Sequence, residues 1–561
     1  MDRRFFLALF LSLVVIALTQ LLFPPAKPKP GTQVSRDSSR TASSTAVSAA
    51  SSTAANIVRP DSVQATVPST MKAPTVDSAR VVAESTIVET PKATYRFSNV
   101  GAAPTAVLVR DYKSRATNSV VDLGSQTAPL LSYRVIGPTD TADLSRVPFT
   151  LTRHRSAIGD VLNYSASVRS YNVSITYTIP ADTTSSYAVN VAGRVTGGGG
   201  GSPLYLIIDL PKTLRPTEAD TLGDHRTLAY SFKPQRDRAG SVLFGSLDPG
   251  EKALEAGPLN WVAVKNKYFV VGVLAPTNGT QFSEATLTGG PRTSKAATTA
   301  SAAVVDEIRN GTFAFDIYAG PQESQRLLRM GRDFDHVNPY GWRILQGVVH
   351  PIASKVIQGL LWMHNRLNLS YGWVLIILGV LVRLALWPLN QSAMRSSLKM
   401  QEIQPKLTAA QKKFKDPVQQ REAIMKVYRE AGVSPFAGLT GCLPMMLPMP
   451  ILFALFFVFQ NTIEFRGVPF LWLHDISVKD PFYILPLLMG ASMYLLSWIG
   501  MRSAPPNPQA KMMGYMFPVM MTVVLLNLAS GLNLYYTAQN IAAVPQQWWL
   551  ARERARARPA G

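Results

Sequence analysis

Arg383 is the residue of this sequence most able to do chemistry. It stands about ten residues into an otherwise apolar stretch, Gly372–Leu389. An ionised arginine at the centre of an apolar span costs at least ~2.5–3.5 kcal/mol. No Asp or Glu occurs in that stretch or in the other long apolar stretches of the chain. A guanidinium without an internal carboxylate implies a wet recess, where it can receive an acidic group from elsewhere. The alternative is snorkelling, with the side chain leaning toward headgroups near Leu389, about 9 Å further along a helix. Gln460, Asn527, Asn533, Tyr535, Tyr536, Gln539 and Asn540 are further candidates to line the recess, against ordinary interhelical hydrogen bonding. Asn533, Tyr536 and Asn540 recur at spacings of three and four, hence on one helical face. Other chemistries find little support. The six histidines are scattered and the single cysteine, Cys442, reads as a small buried hydrophobe. Gly197–Gly201 lacks a following Gly-Lys-Ser/Thr and reads as a hairpin loop. No nucleophile–base or paired-carboxylate signature stands out, so neither an enzyme nor a cofactor or metal site is expected.

The elements that must position Arg383 follow from composition. The chain has 561 residues, is 47% hydrophobic and 16% charged, and carries a formal net charge of +21. Soluble domains usually carry about 25% charge, so membrane segments are joined here to something soluble. Phe5–Phe23 suits a span of about 20 residues. It follows Arg3 and Arg4 and ends without a small-x-small site, so residues 1–23 read as an uncleaved anchor with a cytoplasmic N-terminus. Residues 24–56 are a Ser/Thr/Ala/Pro-rich, disordered linker. Residues 57–340 hold short alternating segments, such as Ala93–Phe97, Asn172–Thr178 and Tyr268–Val273, between Gly, Pro and Asp turns. That texture predicts a large antiparallel β-sandwich.

Residues 341–370 form an amphipathic helix along the membrane surface. Leu345, Val348, Val349, Ile352, Val356, Leu360 and Met363 lie on its apolar face, with Gln346, His350, Ser354, Lys355 and Gln358 opposite. Packing onto the β domain is the alternative. Five spans follow within residues 371–550: Gly372–Leu389, Leu439–Phe459, Phe482–Gly500, Met513–Leu528 and Leu532–Leu550, the last two split at Ser530-Gly531. The cytoplasmic segment 395–437 holds nine Lys/Arg and four Asp/Glu, and Arg502, Lys511 and the basic tail 551–561 fall on the same side. This is the positive-inside pattern with both termini cytoplasmic, and it places the β domain outside. Segment 395–437 reads as a helical hairpin. Met400, Ile403, Leu407, Ala410 and Phe414 form its seam, and Asp416-Pro417 caps a second helix that ends at Gly432. A Glu422–Lys426 ion pair supports that second helix, and the hairpin's basic surface suits anionic lipid or ribosomal RNA. Fifteen of 18 methionines fall after residue 341, suiting surfaces that accept varied apolar partners or simply helix packing.

These features coincide in order with a known family. Gly372-Trp373-Val374, Val382-Arg383-Leu384, Trp387-Pro388-Leu389, Met400 to Lys406, Cys442-Leu443-Pro444, Met449-Pro450-Ile451, Trp472 to Asp475, Asp480 to Pro486 and Ser530 to Tyr536 resemble the YidC membrane protein insertases. The resemblance runs from about Tyr340 to Leu550, and the β region is similar in place and size to that family's periplasmic domain. It implies a five-helix core enclosing a hydrophilic groove, open to cytoplasm and lipid and closed outside. Arg383 matches the family's groove arginine, and Tyr536, Met449 and Leu452 match positions of substrate contact. The hairpin and tail match regions that engage the ribosome and targeting factors. Pro448 stands where a glutamine is frequent and Gly379 where a threonine occurs. Those roles are not carried over, and Asn527 and Asn533 are expected to replace the lost polarity.

The expected protein is therefore a multi-domain, multi-pass protein of a bacterial inner membrane. It has an N-terminal transmembrane anchor, a periplasmic all-β sandwich or super-sandwich, and a C-terminal five-helix α transmembrane bundle with a cytoplasmic helical hairpin. Its expected function is to insert and fold integral inner-membrane proteins without consuming nucleotide. It would act alone or with the Sec translocon, on nascent membrane proteins, near anionic lipids and with no DNA partner. A polytopic transporter or channel capped by the β domain is the alternative. A third reading makes the β domain a tethered carbohydrate-binding or enzymatic module on a membrane anchor.

Overall fold

The structure, a computed structural model, describes residues 83–124, 129–138, 140–182, 187–198, 203–292, 296–338, 340, 346–388, 391, 403, 406–410, 413, 416–431, 449–502 and 508–557. The anchor, the linker, the first residues assigned to the β domain, most of the first hairpin helix, Gly432, Cys442, Pro448, the first half of the span from Leu439 and the last residues of the tail lie outside the described residues.

Residues 85–321 form two antiparallel sheets. A four-stranded sheet runs from Ser85 to Asp122, and a 14-stranded sheet contains the rest. The alternation that predicts Tyr171–Pro180 is the physical cause of the layering. Tyr171, Val173, Ile175, Tyr177 and Ile179 turn inward while the residues between them face out. The two sheets share one core, in which Phe97 of the small sheet lies 4.9 Å from the Tyr177 ring of the large one. The Tyr177 hydroxyl donates to the Ala102 carbonyl at 2.7 Å, so the buried phenol is satisfied across the interface.

Two sequence expectations change here. Phe269–Leu274 is buried on both faces rather than one. It lies between Lys252–Lys265 and Thr312–Pro321, whose Trp261 and Tyr318 rings lie 5.3 and 5.4 Å from Phe334 of the 3-10 turn Phe334–Val337. That turn covers the face which alternation leaves to solvent. The loop at Gly197–Gly201 is not a hairpin, because Ala188–Gly197 and Leu204–Asp209 pair with other strands. Gly197 (φ 105°) and Gly198 (φ 76°) take the chain out of one strand toward a distant position in the sheet.

Among the described residues, eight helices of fixed bounds follow the strands or close them: α1 (Ser324–Met330), α2 (Gln346–Leu367), α3 (Tyr371–Ala385), α4 (Pro417–Glu430), α5 (Met449–Asn461), α6 (Ile484–Arg502), α7 (Pro508–Leu525) and α8 (Ser530–Ala557). The predicted break at Ser530-Gly531 is present. The hairpin's second helix starts as expected, with the Asp416 carboxylate accepting from Val418 N–H at 3.3 Å and Pro417 in the first turn. Its helical ion pair is Lys426–Glu430 at 4.0 Å rather than Glu422–Lys426. The α8 helix continues to Ala557, so it takes in most of the basic segment assigned to the tail.

The α2 helix departs from its predicted face. Val349, Ala353, Ile357, Leu360 and Met363 are buried in a cluster with Ala454, Leu455, Val458 and Phe459 of α5, while Val348 and Trp362 are 54% and 63% exposed. Its first turn touches the β domain, with Gln346 Nε2 donating to the Ala239 carbonyl at 3.2 Å. Helical packing thus takes the stripe that the sequence assigns to lipid.

The β domain is also fastened to the segment between α5 and α6. Arg466 donates through Nε to Glu218 at 2.7 Å and through Nη2 to the Lys113 carbonyl at 2.8 Å. Arg115 forms ion pairs with Asp475 and Glu218. Burial raises the Glu218 carboxyl, and the Arg466 guanidinium opposes that shift. The Arg466 and Glu218 side chains are only 6% and 9% exposed, so Arg466→Ala leaves the buried carboxylate with only the longer 3.7 Å ion pair to Arg115. The expected cost is about 1–3 kcal/mol, read as faster proteolytic separation of the β domain and a lower unfolding midpoint.

Asp306 gives a second test. It sits on the inward face of Ala300–Ile308 with Ala302, Val304 and Ile308. Burial, assisted by Glu307, raises its carboxyl from 3.8 to about 7. The folded form therefore holds this proton more tightly than the unfolded chain. Stability is full below about pH 4 and falls as the pH rises to about 7. Asp306→Asn should raise the thermal midpoint by several degrees at pH 8 and leave it unchanged at pH 4.

Candidate functional site

The α3 helix is apolar except for Arg383. Gly372, Leu375 and Gly379 are buried, and Arg383 follows on the same face at helical spacing. Trp373, Val380, Leu381 and Leu384 face outward and are exposed. Gly379 is the contact point with α8. A Cβ there would stand 3.0 Å from the Tyr535 carbonyl oxygen and 3.3 Å from the Ala538 Cβ and Gln539 N. A side chain larger than hydrogen would need the facing backbone to give way by a few tenths of an ångström. Arg383 lies one turn beyond that point and is half-buried. Its Nε is buried without a hydrogen-bond partner among the described residues, and no ion pair forms to it there. No carboxylate of the described residues holds the guanidinium.

The other candidates separate. Tyr536 is half-buried on α8 beside Tyr535, at a ring distance of 5.4 Å. Leu452 is half-buried on α5. Met449 opens α5, but its side chain lies outside the described residues. Asn533 is fully buried, and its Nδ2 donates to the Leu525 carbonyl at 3.2 Å, tying the end of α7 to the first turn of α8. Asn527 is exposed in the turn between those helices. It precedes Gln539, which is level with Gly379, by about 13 Å or more of helix. Asn527 is therefore not level with Gly379, the amide of Asn533 is taken by Leu525, and Pro448 lies outside the described residues. Asn540 follows the bland expectation and donates to Ser492 Oγ of α6 at 3.1 Å.

Sequence reasoning missed Gln546, whose Nε2 donates to the Trp387 carbonyl at 3.3 Å and binds α8 to the end of α3. It also took Asp475 and Asp480 only as motif residues. Asp475 accepts from the N–H groups of Gly467 and Ser477 at 3.0 and 2.8 Å. Asp480, fully buried, accepts from Phe482 and Leu485 at 3.0 and 2.7 Å and so caps the entry to α6. An Asp-Pro pair just before a long apolar run was the available signal. The same connector holds the α7–α8 turn, because Ser530 and Gly531 N–H donate to the Val478 and Ile476 carbonyls at 2.7 and 2.9 Å. At the opposite end, the guanidinium of Arg502 lies 3.8 Å over the Trp498 ring and that of Arg552 3.3 Å over Trp548, as at a membrane–water boundary.

Helices α3, α6, α7 and α8 together expose a broad apolar exterior, including Leu384, Leu487, Leu495, Val519, Val523 and Ile541. Among the described residues, α6 alone is long and apolar enough by itself to cross a membrane. An apolar exterior of this size around a polar junction defines a helical membrane protein carrying a β-sandwich domain. Comparison with known proteins gives the same class. Residues 86–352 match the YidC periplasmic domain and residues 362–557 match the 60Kd inner membrane protein family. The membrane protein insertase YidC of Chlorobium phaeovibrioides is 29% identical over 595 aligned positions, covering 98% of this chain and 95% of that protein. Its counterpart from Chlorobium limicola is 33% identical over 354, covering 58% and 59%. A solved structure of an active YidC insertase with its first transmembrane domain resolved is similar at 17% identity and a TM-score of 0.32, covering 82% of this chain and 92% of that one. The chain belongs to the YidC family of membrane protein insertases, and insertion takes the place of the transporter alternative.

The α3–α8 contact is directly testable. Gly379→Val forces methyl groups against the Tyr535 carbonyl and should cost about 1–3 kcal/mol, seen as a lower unfolding midpoint in detergent. Gly359, with no atom within 4 Å of its Cβ position, is the control. Gly359→Ala should be neutral or stabilise by about 0.5–1 kcal/mol.

Proposed function

We propose that this insertase takes the polar flank of an incoming segment into a groove beside Arg383, between α3, α5 and α8. Tyr536, Leu452 and Met449 supply its apolar and aromatic lining. The observation that carries the reading is the buried Arg383 Nε, without a partner among the described residues and one turn from a glycine contact between helices. Such a cation draws in a substrate carboxylate. At 4 Å and an effective dielectric of 20 the attraction is about 4 kcal/mol, comparable to the cost of moving one charge into the membrane. The apolar part of the segment then partitions into lipid without nucleotide hydrolysis.

Charge placement supports a topology with both termini cytoplasmic, the β domain periplasmic and the outer connector closing the groove on that side. The basic hairpin around α4 and the cationic end of α8 suit ribosomal RNA, targeting factors and anionic headgroups. Cooperation with the Sec translocon belongs to the same reading.

Arg383→Ala should abolish or strongly reduce insertion of substrates with an acidic residue at the outer end of the segment. Arg383→Lys should retain much of it, since charge rather than bidentate geometry is needed. The measurement is protease-protected product in vesicles reconstituted with purified protein. Normal insertion of acidic substrates by Arg383→Ala would end the proposal.

A further inference from the structure

A cleft of about 590 Å³ lies between the end of the β domain and α2, with α1 on its wall. Its chemistry is uneven. Arg329 and Arg366 line it, are exposed, and form no ion pair among the described residues. Asp335, which also lines the cleft, has its carboxylate 3.7 Å from His336. That histidine meets the His350 ring edge-on at a ring distance of 4.1 Å, a pairing that the scattered histidines of the sequence do not announce. Burial and the neighbouring His336 and Arg238 hold the His350 imidazole down at about 4, so at neutral pH it adds no charge.

The floor of the cleft is polar and backed by a cation. Asn338 lines it and takes a 2.6 Å hydrogen bond from the buried Lys265 ammonium. Asn338 in turn donates to Gln322 at 2.5 Å. The rim is apolar and aromatic, with Trp362 and Leu328 exposed.

Location selects the occupant. Three residues, Asn368 to Ser370, separate α2 from α3, and the far side of α2 packs on α5. The Trp362–Arg366 end of the cleft therefore sits where the chain enters the membrane. Two uncommitted guanidiniums, an exposed indole and an apolar rim meet there, as a phosphate group joined to acyl chains requires.

We propose that this cleft binds an anionic phospholipid from the outer leaflet, with Arg329 and Arg366 on its phosphate and Trp362 at the acyl boundary. The inference rests on the membrane reading only in taking α3 as a span. It is tested on the full chain in mild detergent, by native mass spectrometry after addition of dihexanoylphosphatidylglycerol, dihexanoylphosphatidylcholine or inorganic phosphate. Phosphatidylglycerol should be retained, and Arg329→Gln with Arg366→Gln should lower its retention at least about tenfold. Replacing two exposed arginines of the β domain, Arg155→Gln with Arg194→Gln, should leave it unchanged. Equal retention by both double variants, or equal retention of the zwitterionic lipid, would overturn the proposal. Displacement of the lipid by inorganic phosphate at equal concentration would overturn the commitment to a lipid. Arg383→Ala should retain the lipid fully, so failure of the groove mechanism and failure of this site give different results.

Discussion

The close approach of two backbones at Gly379 is the constraint on which the membrane half depends. Arg383 stands one turn beyond that contact, before the Gln546–Trp387 hydrogen bond that joins the same two helices again. An arginine stays ionised in proteins, and the idealised cost of burying such an ion dry is of order 20 kcal/mol. No carboxylate is paired to it among the described residues. The glycine brings the helices together, and in the proposed reading the arginine keeps the space beside them wet.

The carboxylates of the connector between α5 and α6 are committed elsewhere. Asp475 and Asp480 face backbone N–H groups, Asp475 also pairs with Arg115, and Glu464 accepts from the Ser324 N–H at 2.9 Å. Burial raises the Glu464 carboxyl further, which leaves it a poor counter-ion. The connector between α5 and α6 thereby commits its carboxylates to backbone N–H groups and to Arg115, and it holds the β domain through Arg466 and Arg115.

The strands, the amphipathic helix and the break at Ser530 were legible because each is a local pattern of apolar spacing or turn chemistry. Arg383 was legible because a charge inside an apolar run has no local explanation. What the sequence hid is pairing between distant segments. Arg466 and Glu218 lie 248 residues apart, and nothing in either neighbourhood announces the other. The α2 stripe shows the same limit, since spacing identifies an apolar face but not whether lipid or α5 covers it. Asn533 shows it for polar residues: its spacing places it with Tyr536 and Asn540, yet the orphan carbonyl of Leu525 takes its amide.

Lipid provides no hydrophobic drive between helices, so small residues and polar bonds must hold them. The contacts of α8 divide on that basis. Toward α3 it has Gly379 and the Gln546 amide, and toward α6 the Asn540 amide. The α6–α7 contact has Gly490, where a Cβ would meet Thr522. Toward α5 the close approach is at Gly531, against Phe459 at the outer end. The rest of α5 packs chiefly on α2. In the proposed reading, the groove beside Arg383 is thus bounded by helices joined through local small-residue and polar contacts.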